Sequence, residues 1–163
     1  MALHLYNIVM QLIALLCIGS IKDAWVQPGL KKYIDRLQHD CQFELIELPD
    51  SKERDPQRQM ADESQRILAA IDKRDADIWL LDETGKEYTS SQFADVISQA
   101  HDHGRSLLFI IGGAYGVNDT VRARADHSIA LSQMTLPHEL CRLLFLEQLY
   151  RSMQINKGSG YHH

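Results

Sequence analysis

The sequence has 163 residues, 45% of them apolar and 24% charged, with four prolines, nine glycines and a formal charge of −5. That describes one domain with enough apolar residues for a core, and it excludes disordered and fibrous classes. No overall positive field draws in nucleic acid, so an RNA-binding role needs a local patch or a partner that does much of the recognising.

The first nineteen residues, MALHLYNIVMQLIALLCIG, are nearly all apolar. They lack the basic start and small-residue cleavage site of a signal peptide. Asn7 and Gln11 interrupt the run, which leaves it short for a membrane span. The expectation is an extension over 1–9, with Met10 an alternative start, and one domain over 10–163 that opens with a buried strand at 11–18. Gly19 to Asp23 turns the chain. Residues 24–38 carry a helical pattern of Trp25, Leu30, Tyr33, Ile34 and Leu37, with Pro28 in an early turn where proline is tolerated. FELIEL at 43–48 reads as a strand.

SKERDPQRQ at 51–59 reads as a charged loop, either a solvated face or a segment ordered on binding. Met60 to Ile71 is helical, with Ser64, Ile67, Leu68 and Ile71 on one side. DIWLLD at 77–82 is a third strand, and Glu83 to Lys86 its terminal turn. Ser90 or Ser91 caps a helix whose core face is Phe93, Val96, Ile97 and Ala100. His101 and His103 near its end favour the helix dipole and complete no metal motif. A fourth strand is expected at 106–111, a short helix at 118–125, a fifth strand at about 129–134 and a final helix at about 138–155. Strands alternating with helices predict an α/β fold, a mostly parallel sheet with helices on both faces.

Two apolar runs of this order end in special loops, Gly112-Gly113-Ala114-Tyr115-Gly116 and Ser132 to His138. The C-terminal ends of strands are where α/β sheets hold ligands. Gly112-Gly113 offers a tight turn with exposed N–H groups, or is simply a turn. It matches neither the dinucleotide nor the nucleoside-triphosphate motif. Ser132 lacks a nucleophile-elbow context. Cys141 lies one helical turn after His138, which is more often packing than a nucleophile with its base. Cys17, Cys41 and Cys141 are odd in number and fit no zinc spacing, so reduced, mostly buried thiols of a cytosolic protein are expected.

The order of several further pieces is more specific. They are Leu81-Asp82 with Gly85-Lys86, Ile110-Ile111-Gly112-Gly113 with Gly116, and Leu131-Ser132-x-Met134-Thr135-Leu136-Pro137-His138-x-Leu140-x-Arg142. Glu147-Gln148-Leu149-Tyr150-Arg151 follows, and the tail carries Tyr161-His162. In these pieces, and in their spacing over roughly residues 10–163, the chain resembles the RlmH family of ribosomal RNA large-subunit methyltransferases, a branch of the SPOUT superfamily. Ala114-Tyr115 fills the variable part of the glycine loop, and the terminal His163 departs from the usual charged residue.

The resemblance implies a SPOUT fold with a deep C-terminal trefoil knot over about residues 77–155. It implies a homodimer in the cytoplasm that uses S-adenosyl-L-methionine. The reaction would methylate N3 of the pseudouridine equivalent to position 1915 of 23S rRNA, in the large subunit or the 70S ribosome. Carried onto this sequence, the cofactor would touch Leu81, Gly112 and the run Leu131, Ser132, Gln133, Met134, Thr135 and Leu136. His138 is the first candidate to accept the N3 proton. Arg142 would hold phosphate or the base anion, and His162 with Tyr161 would complete the partner's site. Blander alternatives are a helix-start hydrogen bond for His138 and pairing of Arg142 and Arg151 with Glu139 or Glu147. The rival function is a non-catalytic nucleotide- or RNA-binding, ribosome-associated factor.

Overall fold

The computed structural model describes residues 9–163. Most of the expected 1–9 extension lies outside the described residues. Among the described residues five strands and five helices alternate: β1 (Leu12–Ile18), α1 (Gln27–Leu37), β2 (Gln42–Leu48), α2 (Pro56–Ile71), β3 (Asp77–Glu87), α3 (Ser90–Asp102), β4 (Leu107–Ile111), α4 (Asp119–Arg124), β5 (His127–Ala130) and α5 (His138–Lys157). The strands form one parallel sheet in the order β2-β1-β4-β3-β5. The part of the apolar N-terminal run at Leu12–Ile18 is thus an inner strand. Among the described residues no helix is long and apolar enough to cross a membrane.

Alternation along β1 splits the core in two. Ile13, Leu15 and Cys17 face one layer with Leu30 of α1, Phe93 of α3 and Phe145 of α5. Ala14, Leu16 and Ile18 face the other, with Ile67 of α2 and Val121 of α4. A strand buried on both faces has no polar side, which is why β1 reads as a continuous apolar run.

Four local readings change. The loop at 51–59 is half helix: Asp55 accepts from the Arg58 N–H at 3.0 Å as the cap of α2, and Pro56 takes the first helical position. Trp25 lies outside α1 and is 67% exposed, so it is not part of the α1 core face. Thr89, rather than a serine, caps α3 in a reciprocal capping box with Gln92.

The fourth change shapes the site. β3 pairs with β5 in two pieces, Trp79–Leu81 and Lys86–Glu87, with a register shift between them. Residues expected to be a terminal turn are therefore an outward excursion within the strand. β5 itself ends at Ala130, so Leu131 to Pro137 is irregular backbone leading into α5.

Candidate active site

The C-terminal ends of β3, β4 and β5 and the start of α5 surround one cavity of about 420 Å3. That volume lies in the range of sites for small organic ligands. Leu81, Ile111, Leu131 and Leu136 supply its apolar wall. The glycine loop between β4 and α4 supplies a backbone wall. A side chain on Gly112 would meet Val117 Cγ1 at 2.9 Å and the Gly116 carbonyl carbon at 3.0 Å, and Gly116 has φ +72°. Only glycine allows the loop to fold this tightly upon itself.

The β3 excursion supplies the charge. Asp82 Oδ1 accepts from the Thr84 N–H at 2.9 Å and from the Thr84 hydroxyl at 2.6 Å, while Oδ2 pairs with Arg122 of α4. Burial pushes the Asp82 carboxyl up, but the Thr84 bonds and then Arg122 outweigh it and hold the group below its ordinary range. It is a carboxylate at neutral pH. Glu83 accepts from the Thr135 hydroxyl at 2.6 Å and so ties the excursion to the segment after β5. That segment is braced further by the Met134 N–H on Ser132 Oγ at 3.0 Å.

His138 begins α5 and faces the cavity half-exposed. The next residue fixes its place. The Glu139 carboxylate accepts from the backbone N–H groups of Lys22 and Asp23 at 2.9 and 3.0 Å, binding the start of α5 to the loop after β1. The Lys22 N–H is the main cause holding the Glu139 carboxyl below its ordinary range. Burial opposes this, while the Asp23 N–H and the charges of His138 and Arg142 support it. Cys141 also lines the cavity, and burial pushes its thiol up to about 11. It stays protonated at neutral pH and is a poor nucleophile.

Leu81, Gly112, Leu131, Ser132, Met134, Thr135, Leu136 and His138 are therefore gathered around one space. Three expected residues are elsewhere. Gln133 turns outward and donates to Glu87 at 3.1 Å. Arg142 is only 1% exposed; it donates to the carbonyl oxygens of Ile18 and Gly19 and pairs with Glu47 at 3.3 Å. It stands against the end of β1 and does not line the cavity. Its pairing with Glu139 is replaced by Glu47, whereas Arg151 does pair with Glu147, at 2.6 Å. His162 lies in the tail, which folds back along α5. Its Nδ1 is 3.4 Å from Arg151, Tyr161 donates to Glu147 at 3.3 Å, and no tail residue lines the cavity.

Sequence reading passed over Arg122 and Thr84, and weighed Glu139 only as a partner for Arg142 or Arg151. Thr84 had a local signal, an Asp two residues earlier that its N–H and hydroxyl can reach. Arg122 is forty positions from its partner and had none.

A family model described as "Predicted SPOUT methyltransferase" matches residues 10–162. Proteins named ribosomal RNA large subunit methyltransferase H are similar over nearly their full length. The one from Christiangramia forsetii is 41% identical over 93% of this chain and 98% of its own. One from Streptococcus pyogenes is 40% identical over 92% and 98%. The crystal structure of a methylase family protein from Neisseria gonorrhoeae has the same fold, with a TM-score of 0.51 and 10% identity over 92% of this chain and 86% of that one. By sequence and by fold, this chain belongs to the SPOUT methyltransferases, in their ribosomal RNA large subunit methyltransferase H branch.

Proposed function

We propose that this chain transfers a methyl group from S-adenosylmethionine to N3 of the pseudouridine equivalent to position 1915 of 23S rRNA. It acts as a homodimer in the cytoplasm, on the large subunit or the assembled ribosome, with the segment at about 77–155 threaded as a deep trefoil knot. The observation that carries the reading is one cavity walled by the three loops of the family's motif, with His138 at its edge.

The residues fit the cofactor. Apolar side chains at 81, 111, 131 and 136 suit an adenine ring, and glycine backbone lets a nucleoside approach closely. With Asp82 offset by Arg122, Glu83 leaves the lining net negative at a site for a sulfonium cation. When bound, S-adenosylmethionine supplies an electrophilic methyl group. The chain's own work is mainly alignment, which the braced loops perform by holding the walls in one arrangement. The acceptor N3 carries a proton and is a weak nucleophile until that proton leaves. A ring nitrogen of His138 takes the N3 proton, and Glu139 keeps His138 in place by anchoring the first turn of α5.

The test is methyl incorporation into ribosomes from cells that lack the endogenous enzyme, followed by mapping of the modified base. Wild-type protein labels one pseudouridine. His138→Ala lowers turnover about a hundredfold or more, the usual share of a positioned base. Wild-type turnover in that variant removes His138 from the mechanism. Calorimetry that finds no S-adenosylmethionine binding favours a non-catalytic RNA-binding factor instead.

A further inference from the structure

Behind the glycine loop, outside the cavity wall, lies a buried carboxylate that the mechanism above does not use. Glu63, on the inner face of α2, is 1% exposed. Its Oε1 accepts from the Ser51 N–H and from Gln59 Nε2, each at 3.1 Å. Its Oε2 is buried without a hydrogen-bond partner. That oxygen stands where a side chain on Gly113 would be: a Cβ there would lie 2.2 Å from it. The adjacent Ser64 is fully buried and accepts from the Asn118 N–H at 3.0 Å, at the far end of the same loop. Two consecutive residues of α2 thus back the loop from Gly113 to Asn118, Glu63 by close approach at Gly113 and Ser64 by a hydrogen bond at Asn118. One of them also holds the backbone just after β2.

We propose that Glu63 is a positioning residue for the cofactor site: its carboxylate fixes the glycine loop in its binding shape and ties it to the segment after β2. This rests on the glycine loop being a cofactor wall. The physical case is the cost of the arrangement. A buried carboxylate oxygen without a partner is destabilising, and an apolar residue would fill α2 with less penalty. Glu63 instead fills the space that Gly113 leaves open. Gly113 has no positive φ, so its lack of a side chain answers to that close approach rather than to backbone conformation.

The experiment measures S-adenosylhomocysteine binding by calorimetry, and KM for S-adenosylmethionine and kcat on ribosomes, across a mutant cycle. Glu63→Ala frees the loop and weakens binding about tenfold, through KM, with kcat at saturation little changed. Glu63→Gln keeps the Oε1 acceptor and the shape, and binds within about twofold of wild type. Gly113→Ala weakens binding by collision with the carboxylate. In the Glu63→Ala background the added methyl enters vacated space, so the double variant binds no worse than Glu63→Ala alone. Glu63→Asp, which withdraws the carboxylate by one methylene, relieves Gly113→Ala in the same way and decides the matter if Glu63→Ala does not fold. Unchanged affinity in Glu63→Ala, or a Gly113→Ala defect that adds in full to Glu63→Ala or to Glu63→Asp, overturns the proposal. Wild-type protein that fails to bind S-adenosylhomocysteine overturns the cofactor reading itself.

Discussion

Arg142 shows how a motif can be read correctly in order and wrongly in contact. It stands one turn after His138 in a run that the family resemblance assigns to the active site. Helix geometry places it near His138, but not what its long side chain meets. That depends on α5 crossing the end of β1, a long-range event with no local signal. The guanidinium there donates to two buried carbonyl oxygens, of Ile18 and Gly19, and pairs with Glu47 at the end of β2. Removing it leaves those carbonyls unsatisfied. Arg142→Ala should cost about 3 kcal/mol of stability, read from urea denaturation. Arg142→Lys should recover only part, because an ammonium cannot span the fork of acceptors. A variant that unfolds at the wild-type midpoint yet loses turnover would return Arg142 to the substrate. The thiols give a second prediction at this scale. Burial pushes Cys17 and Cys41 up to about 12 and Cys141 to about 11, from 9.0. Between those values the unfolded chain has lost protons that the folded one keeps, so stability falls as pH rises. The slope is about 1.4 kcal/mol per pH unit for each thiol, beginning near pH 9, and replacing the cysteines with alanine or serine should flatten it.

Elements were legible where one period dominated. The buried strands β1 and β4, the alternation into helices and the parallel sheet all follow from apolar runs of strand length separated by amphipathic stretches. What escaped was one local cap and one feature set by a second element. The start of α2 carried its Asp-Pro signal at positions 55 and 56, but the surrounding charges hid it. The continuation of β3 to Glu87 carried none, because its last residues, polar and exposed, become strand only by pairing again with β5. Gly85 makes that second pairing possible. A Cβ there would come within 2.7 Å of the Ile129 backbone, and backbone cannot swing away as a flexible side chain can. Gly85→Ala should therefore force β3 and β5 apart, at about 1–3 kcal/mol by denaturation. Because Asp82, Glu83 and Thr84 line the cavity from the same excursion, cofactor affinity should fall in parallel. Loss of stability with full affinity would separate the excursion from the site.

At the scale of the whole molecule, the tail lies away from its own cavity. Tyr161 packs against Tyr150 with ring centres 5.1 Å apart, under the Arg151 guanidinium, and donates to Glu147. His162 follows it onto the outer side of α5. In the proposed dimer this placement turns the tail toward a second copy, whose cavity it would complete. The arrangement is testable without a structure of the pair. A dimer of His138→Ala with His138→Ala has no base, and one of His162→Ala with His162→Ala lacks the His162 imidazole, keeping only the terminal His163. If the tail acts in trans, a mixed dimer contains one doubly defective site and one with both histidines intact. Random assortment of equal amounts makes half the dimers mixed, so activity should return to about a quarter of wild type after the two inactive proteins are unfolded and refolded together. Refolding them separately before mixing should restore less, as exchange between stable dimers is slow. If the tail acts on its own cavity, no mixed pair contains an intact site and no activity returns. Sedimentation of the wild type under the same conditions fixes the dimer on which the argument depends.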